Sequence, residues 1–273
     1  MEKNFTQNKI EQVVRDGYGL SLEGVLSQSF EIYKRAILPG VVATFLYILA
    51  MGFVGLFMFE SLYGMSLTEM IKVGQNNPSA LEATFGAVET SSMLVYSVVM
   101  ALMMALIAPL LSGLYKVSYK NKYESEGSVA DLFSYYRQPY FLNIFIFSFL
   151  FGLILQLLNF SLEQALPLFG GMIGILIQIF LSVSLILTIP FIVFGKLSWI
   201  EAFQASFKVT FKNWFFLFFI LLISSIIAFV GIVLCGIGFL FSYPFLFTST
   251  FVLYDEIIGF NNHPDEISKI GGE

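Results

Sequence analysis

WFFLFFILLISSIIAFVGIVLCGIGFLFSYPFLFTSTFVLYDEII, running from Trp214 to Ile258, is an apolar stretch too long for one membrane crossing. A hydrocarbon core of about 30 Å takes about 20 mostly apolar residues as a helix. The stretch divides at Cys235-Gly236-Ile237-Gly238, where two glycines favour a turn. That gives spans at 214–234 and 238–258, joined by almost no loop. The same criterion, carried toward the N-terminus, finds apolar runs at 37–59, 93–115, 140–160 and 167–194. The expected fold is all-α, a polytopic membrane bundle of about six transmembrane helices. Residues 1–20 are expected to form a polar N-terminal segment, 21–260 a single transmembrane domain and 261–273 a mobile tail.

Composition agrees. Of 273 residues, 57% are hydrophobic and 12% charged, against about 25% charged in soluble domains. The 32 phenylalanines suit helices whose surfaces are apolar all round. The net charge of -5 is less informative than the placement of the positive residues. Met1 to Leu20 has no short apolar core and no small-residue cleavage site, so the first apolar run is expected to remain as a span.

Orientation follows from the lysines and arginines. Lys3, Lys9, Arg15, Lys34 and Arg35 precede the first span, and Lys116, Lys120, Lys122 and Arg137 lie between the second and third. Lys196, Lys208 and Lys212 separate the fourth from the fifth, and Lys269 follows the sixth. Only Lys72 falls on the other side, so the positive-inside rule puts both termini in the cytoplasm. Tyr115, Tyr135, Tyr136, Tyr140, Trp199, Trp214 and Tyr254 cluster at the same ends, where amphipathic rings prefer the headgroup layer. The one substantial outer loop, Glu60 to Ser92, is acidic, with a short helix expected over 67–73 before the Asn76-Asn77-Pro78 breaker.

A threefold pattern underlies the layout. Ser21, Ser128 and Ser198 each open a segment before an odd-numbered span, and Ser128/Asp131 and Ser198/Glu201 have capping-box spacing. After Ser198, Trp199, Phe203, Phe207, Phe211 and Trp214 share a helical face; after Ser21, Leu22, Leu26, Phe30, Tyr33 and Ile37 do the same. Such amphipathic helices are expected to lie in the cytoplasmic membrane interface, with the copy around Asp131 to Arg137 the weakest. Each even-numbered span carries an interior proline (Pro109, Pro190 or Pro244), which removes a backbone hydrogen bond and kinks the helix. The units read as three hairpins.

Candidate functional residues are few. Small and polar residues recur every four positions in the second span (Ser97, Ala101, Ala105, Pro109, Gly113), the third (Ser148, Gly152, Gln156, Asn159, Glu163) and the fourth (Gly170, Gly174, Gln178, Ser182). They read as packing between helices, where small residues admit close approach and amides bond across the contact. The sharper alternative is a polar bundle interior, or permeation path, formed by Gln156, Asn159, Gln178 and Ser182. No ionisable residue falls near the centre of a span, which disfavours a proton or ion relay. The single cysteine, Cys235, reads as packed in its turn, and the single histidine, His263, lies in the tail. Neither a zinc or haem ligand set nor a phosphate-cradling glycine loop is present, so no catalytic, cofactor or metal site is expected.

The Cys235-Gly236-Ile237-Gly238 turn, the Pro244 that follows it and the Tyr254-Asp255-Glu256 ending resemble a broad group of uncharacterised bacterial six-helix integral membrane proteins. That group includes the membrane domain fused to some glycerophosphodiester phosphodiesterases. The likeness covers mainly Ser198 to Phe260. In the fused proteins hydrolysis belongs to a separate soluble domain, for which this chain has no matching residues. What the resemblance implies is a membrane module serving lipids or other proteins. The expected role is therefore non-catalytic: organising lipids or partner proteins in the cytoplasmic membrane, with a transporter component for a small or lipid-like substrate as the alternative. Expected partners are membrane lipids, a membrane protein or a second copy of the chain, and not nucleic acid.

Overall fold

The computed structural model describes residues 2–80, 84, 88–233 and 238–261. Cys235-Gly236-Ile237 of the expected hairpin turn, and the tail from Asn262 with His263 and Lys269, lie outside the described residues. Among those residues the regular structure is helical: α1 (Glu2–Asp16), α2 (Leu22–Tyr63), α3 (Leu67–Asn76), α4 (Thr90–Tyr123), α5 (Tyr140–Ala165), α6 (Gly170–Ser184), α7 (Thr188–Val193), α8 (Trp199–Phe211), α9 (Trp214–Val233), α10 (Gly238–Ser242) and α11 (Phe245–Ile257). A 3₁₀ turn, Val129–Phe133, lies between α4 and α5. Five segments are long and apolar enough to cross a membrane: α2, α4, α5, Gly170–Val193 and Trp214–Gly231. The chain is a multi-pass helical membrane protein.

Several expectations are corrected. The segment 238–258 is not one continuous helix, because the chain turns at Tyr243-Pro244 and α11 starts afresh. Proline has no N–H to donate and stands naturally just before, or in the first turn of, a helix. The fourth span is likewise split, its helix lapsing at Leu185–Leu187 before α7, in whose first turn Pro190 stands. Pro109, by contrast, is carried inside the unbroken α4. The first interfacial segment is not separate from its span: α2 runs 42 residues and takes Pro39 into its interior. The middle copy is a five-residue 3₁₀ turn, not an amphipathic α-helix, since Pro139 stops the chain soon after.

α1 is a structured element that a polar N-terminal segment does not suggest. Its Thr6 and Val13 are buried, and Tyr18 just beyond it donates its hydroxyl to the Val209 carbonyl of α8 at 3.2 Å. Thr6 lies so near Gly195 that a Cβ there would meet its Cγ2 at 2.9 Å. α3 forms where the short helix before the Asn76-Asn77-Pro78 breaker is expected, started by a reciprocal Ser66/Glu69 capping box and ended at Asn77.

The chain divides into two compact units. The first comprises Met1–Phe45, Pro109–Ile144 and Leu176–Glu273; the second comprises Leu46–Ala108 and Phe145–Ile175. The core of the first is built around α11, which is buried along nearly its whole length. Phe191 and Phe194, at the C-terminal end of α7, pack edge-on against Tyr254 and Phe251 with ring centroids 5.4 and 5.8 Å apart. Gly40 admits α2 to the α10–α11 turn, because a Cβ there would meet Pro244 at 2.7 Å. The second unit is packed by small residues: Ala101 and Ala105 are fully buried, and Gly152 faces Ala101.

Candidate functional site

The most elaborate polar construction lies in the first unit, where three carboxylates each meet a lysine from another element. Asp131, 7% exposed at its side chain, accepts from the Ser128 N–H and hydroxyl, both at 2.9 Å. It also pairs with Lys120 at 2.8 Å and Lys116 at 3.3 Å, both from the last turns of α4. Burial is the largest single influence on this carboxyl and opposes its charge. The bonds from Lys120, the Ser128 backbone, the Ser128 hydroxyl and Lys116 together outweigh it and hold the group well below the usual carboxylate range.

Glu201 repeats the design at the start of α8. It accepts from the Ser198 N–H at 2.9 Å and the Ser198 hydroxyl at 2.8 Å, and pairs with Lys3 of α1 at 2.8 Å. The Lys3 bond, followed by those from Ser198, lowers its pKa to about 2. The Ser–x–x–acid spacing thus forms capping interactions at both predicted places, and each capping carboxylate doubles as an ion-pair partner.

The third station is Asp255 of α11, whose side chain is 4% exposed. Lys122 reaches it at 2.5 Å and the Tyr123 hydroxyl donates to it at 2.8 Å. Lys122 also donates to the Gln28 amide oxygen at 2.7 Å, and the Gln28 amide donates to Glu256 at 2.5 Å. The three lysines of the 116–122 segment therefore serve as structural counter-charges. Lys122 and Asp255 stand 133 residues apart, and no local pattern in the sequence links them.

The two interrupted helices are closed by hydroxyl groups. At the end of α6 the Ser184 carbonyl accepts from Ser206 at 3.0 Å and Thr210 at 2.8 Å, both from α8. Ser206 in turn accepts the Leu187 N–H at 3.2 Å, and the Trp214 indole N–H donates to the Ser184 hydroxyl at 3.2 Å. Between α10 and α11, Ser242 donates to the carbonyls of Ala228 and Gly238, and the Tyr33 hydroxyl donates to the Phe241 carbonyl. Non-helical backbone is tolerated inside a membrane protein only where partners of this kind satisfy it. Asn121 Nδ2, Thr188 Oγ1 and Ser224 Oγ are buried without a hydrogen-bond partner among the described residues.

The four polar residues expected to line an interior differ in environment, each within its own unit. Gln178 and Ser182 are exposed on α6, whereas Gly170 and Gly174 of the same four-residue series are buried. Four residues advance a helix by slightly more than one turn, so such a series drifts by about 40° per step and leaves its starting face. Gln156 and Asn159 are half-buried, and Asn159 packs on Gly174, whose Cβ would meet its Oδ1 at 2.0 Å. That is a helix–helix contact of the small-residue kind.

Two clefts open on the surface. One of about 200 Å³ in the second unit is lined by Met58, Ser61, Leu62, Ser91, Ser92 and Val95. The other, about 470 Å³ in the first unit, lies at the α8–α9 corner among Phe180, Phe211, Lys212, Asn213, Trp214 and Phe215. Among the described residues no three His, Cys, Asp or Glu side chains converge as metal ligands. Comparison with protein-family models, with curated proteins and with solved structures gives no match for the chain.

Proposed function

We propose that this protein is a non-catalytic component of the bacterial cytoplasmic membrane, with six passes and both termini inside, and that it organises lipids or partner proteins at the inner leaflet. One observation carries the reading: α8 buries its small residues and displays its large ones. Ala202, Ala205, Ser206, Val209 and Thr210 are buried, whereas Phe203, Phe207 and Phe211 are exposed by 41, 36 and 62%. The N-terminal part of α2 is built the same way, with Val25, Ser29, Ile32 and Ala36 buried and Leu22, Phe30 and Ile37 exposed. A helix with its aromatic face outward, directly before a strongly apolar span, suits the interface between headgroups and acyl chains. The polar groups beneath it are largely taken up by one another, which favours a fixed platform.

A transport component is the second reading, favoured by the interruptions at Leu185–Leu187 and Tyr243-Pro244, since broken helices line the substrate sites of many transporters. Against it, the groups freed at both interruptions are held by hydroxyls, and Gln178 lines no interior. Cysteine labelling separates the two. In a Cys235→Ala background, Gln178→Cys is expected to resist a membrane-impermeant thiol reagent in both right-side-out and inverted vesicles. Lys72→Cys should react only from outside and Lys196→Cys only from inside. Labelling of Gln178→Cys from either side would establish a water path and replace the platform by the transporter. Reversal of the two controls would overturn the orientation.

A further inference from the structure

We propose that the α8–α9 corner binds the phosphate headgroup of an anionic phospholipid. The inference rests on the reading that α8 lies at the membrane surface, and it names the lipid class served there.

The first observation is a cation without a counter-charge. Lys3, Lys34, Lys116, Lys120 and Lys122 each face a carboxylate of the protein. Lys212 is exposed and its ammonium has no partner among the described residues, and the same holds for Lys208 one turn earlier on α8. Residues four apart on a helix are neighbours, so the two ammonium groups can reach one anion. Lys212 also lines the larger cleft, of about 470 Å³, so this charge borders a concave space.

The second observation is the aromatic wall. Trp214 is held in place: its ring stacks on Phe218 at 5.4 Å, lies 5.6 Å from Phe180, and its N–H is tied to Ser184. Phe211 and Phe215 flank Lys212 and are exposed by 62 and 74%. A soluble anion would make no use of them. An amphiphile would, because rings at headgroup depth favour a ligand that is charged at one end and apolar at the other.

The third observation supplies a place for the chain. Phe215, Phe219, Leu222 and Ile226 are exposed by 74, 55, 42 and 57% and recur at the spacing of one helix face. They continue from the cleft along α9, so an acyl chain can lie against them while the phosphate meets Lys212. Charge at the corner and an apolar track below it select an anionic phospholipid over inorganic phosphate or an acidic peptide.

The test uses full-length protein in a neutral detergent, with bound lipid counted by native mass spectrometry. Phosphatidylglycerol is expected to be retained and phosphatidylcholine with the same chains to be lost. Lys212→Ala is expected to weaken phosphatidylglycerol binding about fivefold, and Lys208→Ala with Lys212→Ala about 25-fold, if each lysine contributes ~1 kcal/mol near an anionic headgroup. Lys196→Ala, which removes another exposed lysine without a partner among the described residues, should leave binding unchanged. Equal losses for Lys196→Ala and Lys212→Ala would show only diffuse attraction and overturn the site, as would a double variant that binds like its parent. Displacement of the lipid by millimolar inorganic phosphate would show a simple anion site and overturn the lipid assignment. Lys208→Cys, probed in inverted and right-side-out vesicles, reports separately on the placement of α8. Reaction only from outside would sink that placement whatever the lipid result.

Discussion

The two compact units of this protein are held together by different means. Every ion pair among the described residues lies in the first unit, as do all the buried polar side chains except Ser97. The second unit closes on alanine and glycine and leaves Phe53 and Phe57 exposed by 77 and 68%. In lipid, burying an apolar side chain against another helix gains little, so association depends on close packing and on hydrogen bonds. The second unit uses the former. The first uses both, and its carboxylate–lysine stations fix which segments meet: the end of α4 with the 3₁₀ turn, the end of α4 with α11, and α1 with α8. One unit is specified by charge, the other by shape.

The sharpest way to break that comparison is to remove one partner of a buried pair. Lys122→Met leaves the Asp255 carboxylate with the Tyr123 hydroxyl alone, and is expected to cost about 3 kcal/mol, the lower end of the range for an orphaned buried charge. Adding Asp255→Leu should recover most of that loss, because a matched apolar pair carries no stranded charge. Unfolding in detergent measures both; a double variant no better than Lys122→Met would show that the pair's packing, not its charge, is what matters.

Next in size is a pair of glycine substitutions, one in each unit. A Cβ on Gly113 would stand 2.4 Å from the Leu132 backbone, so Gly113→Ala must displace the 3₁₀ turn that carries Asp131, at a cost of about 1–3 kcal/mol. A Cβ on Gly152 would meet Ala101 at an ordinary 3.8 Å. Gly152→Ala should therefore be neutral, or stabilising by up to ~1 kcal/mol through helix propensity. Equal costs in a thermal unfolding series would erase the distinction between the two units.

What could be read in advance tracks how local each cause is. Five of the six expected apolar spans, the Ser128/Asp131 and Ser198/Glu201 capping pairs and the short helix before Asn77 all follow from windows of a few residues to about twenty, and are present among the described residues. The fate of the prolines was not legible, since Pro39 and Pro109 sit inside continuous helices whereas Pro190 and Pro244 stand where a helix restarts. At the two restarts the backbone groups are taken up by Ser206, Thr210 and Tyr33, and those neighbours come from other parts of the chain. Lys122 and Asp255 met for the same non-local reason. The misplacement of Gln178 is different in kind: a spacing of four was read as one face, and the drift that carries Gln178 outward is already present in helix geometry.

The smallest expected effect refines the comparison inside the first unit itself, between buried Asp131 and the more open Glu201. Glu201 has a side chain 39% exposed, so solvent screening limits its pair with Lys3 to about 0.5 kcal/mol. Its pKa falls from an ordinary 4.5 to about 2 on folding, so its contribution is complete above pH 4.5 and is lost as pH drops toward 2. Because Lys3 belongs to α1, that loss should be felt locally, as lower amide protection factors over Glu2–Asp16 while those of the helices around α11 are kept. Added salt should imitate the acid effect on α1, since an exposed pair is screened. Asp131 should resist salt, because its lysines and Ser128 enclose it. Glu201→Gln should abolish both the acid and the salt response of α1. If the protection factors of α1 instead stay the same from pH 5 to pH 2.5, Thr6 and Val13 hold it down without help from the ion pair, and the Glu201 station is a cap for α8 alone.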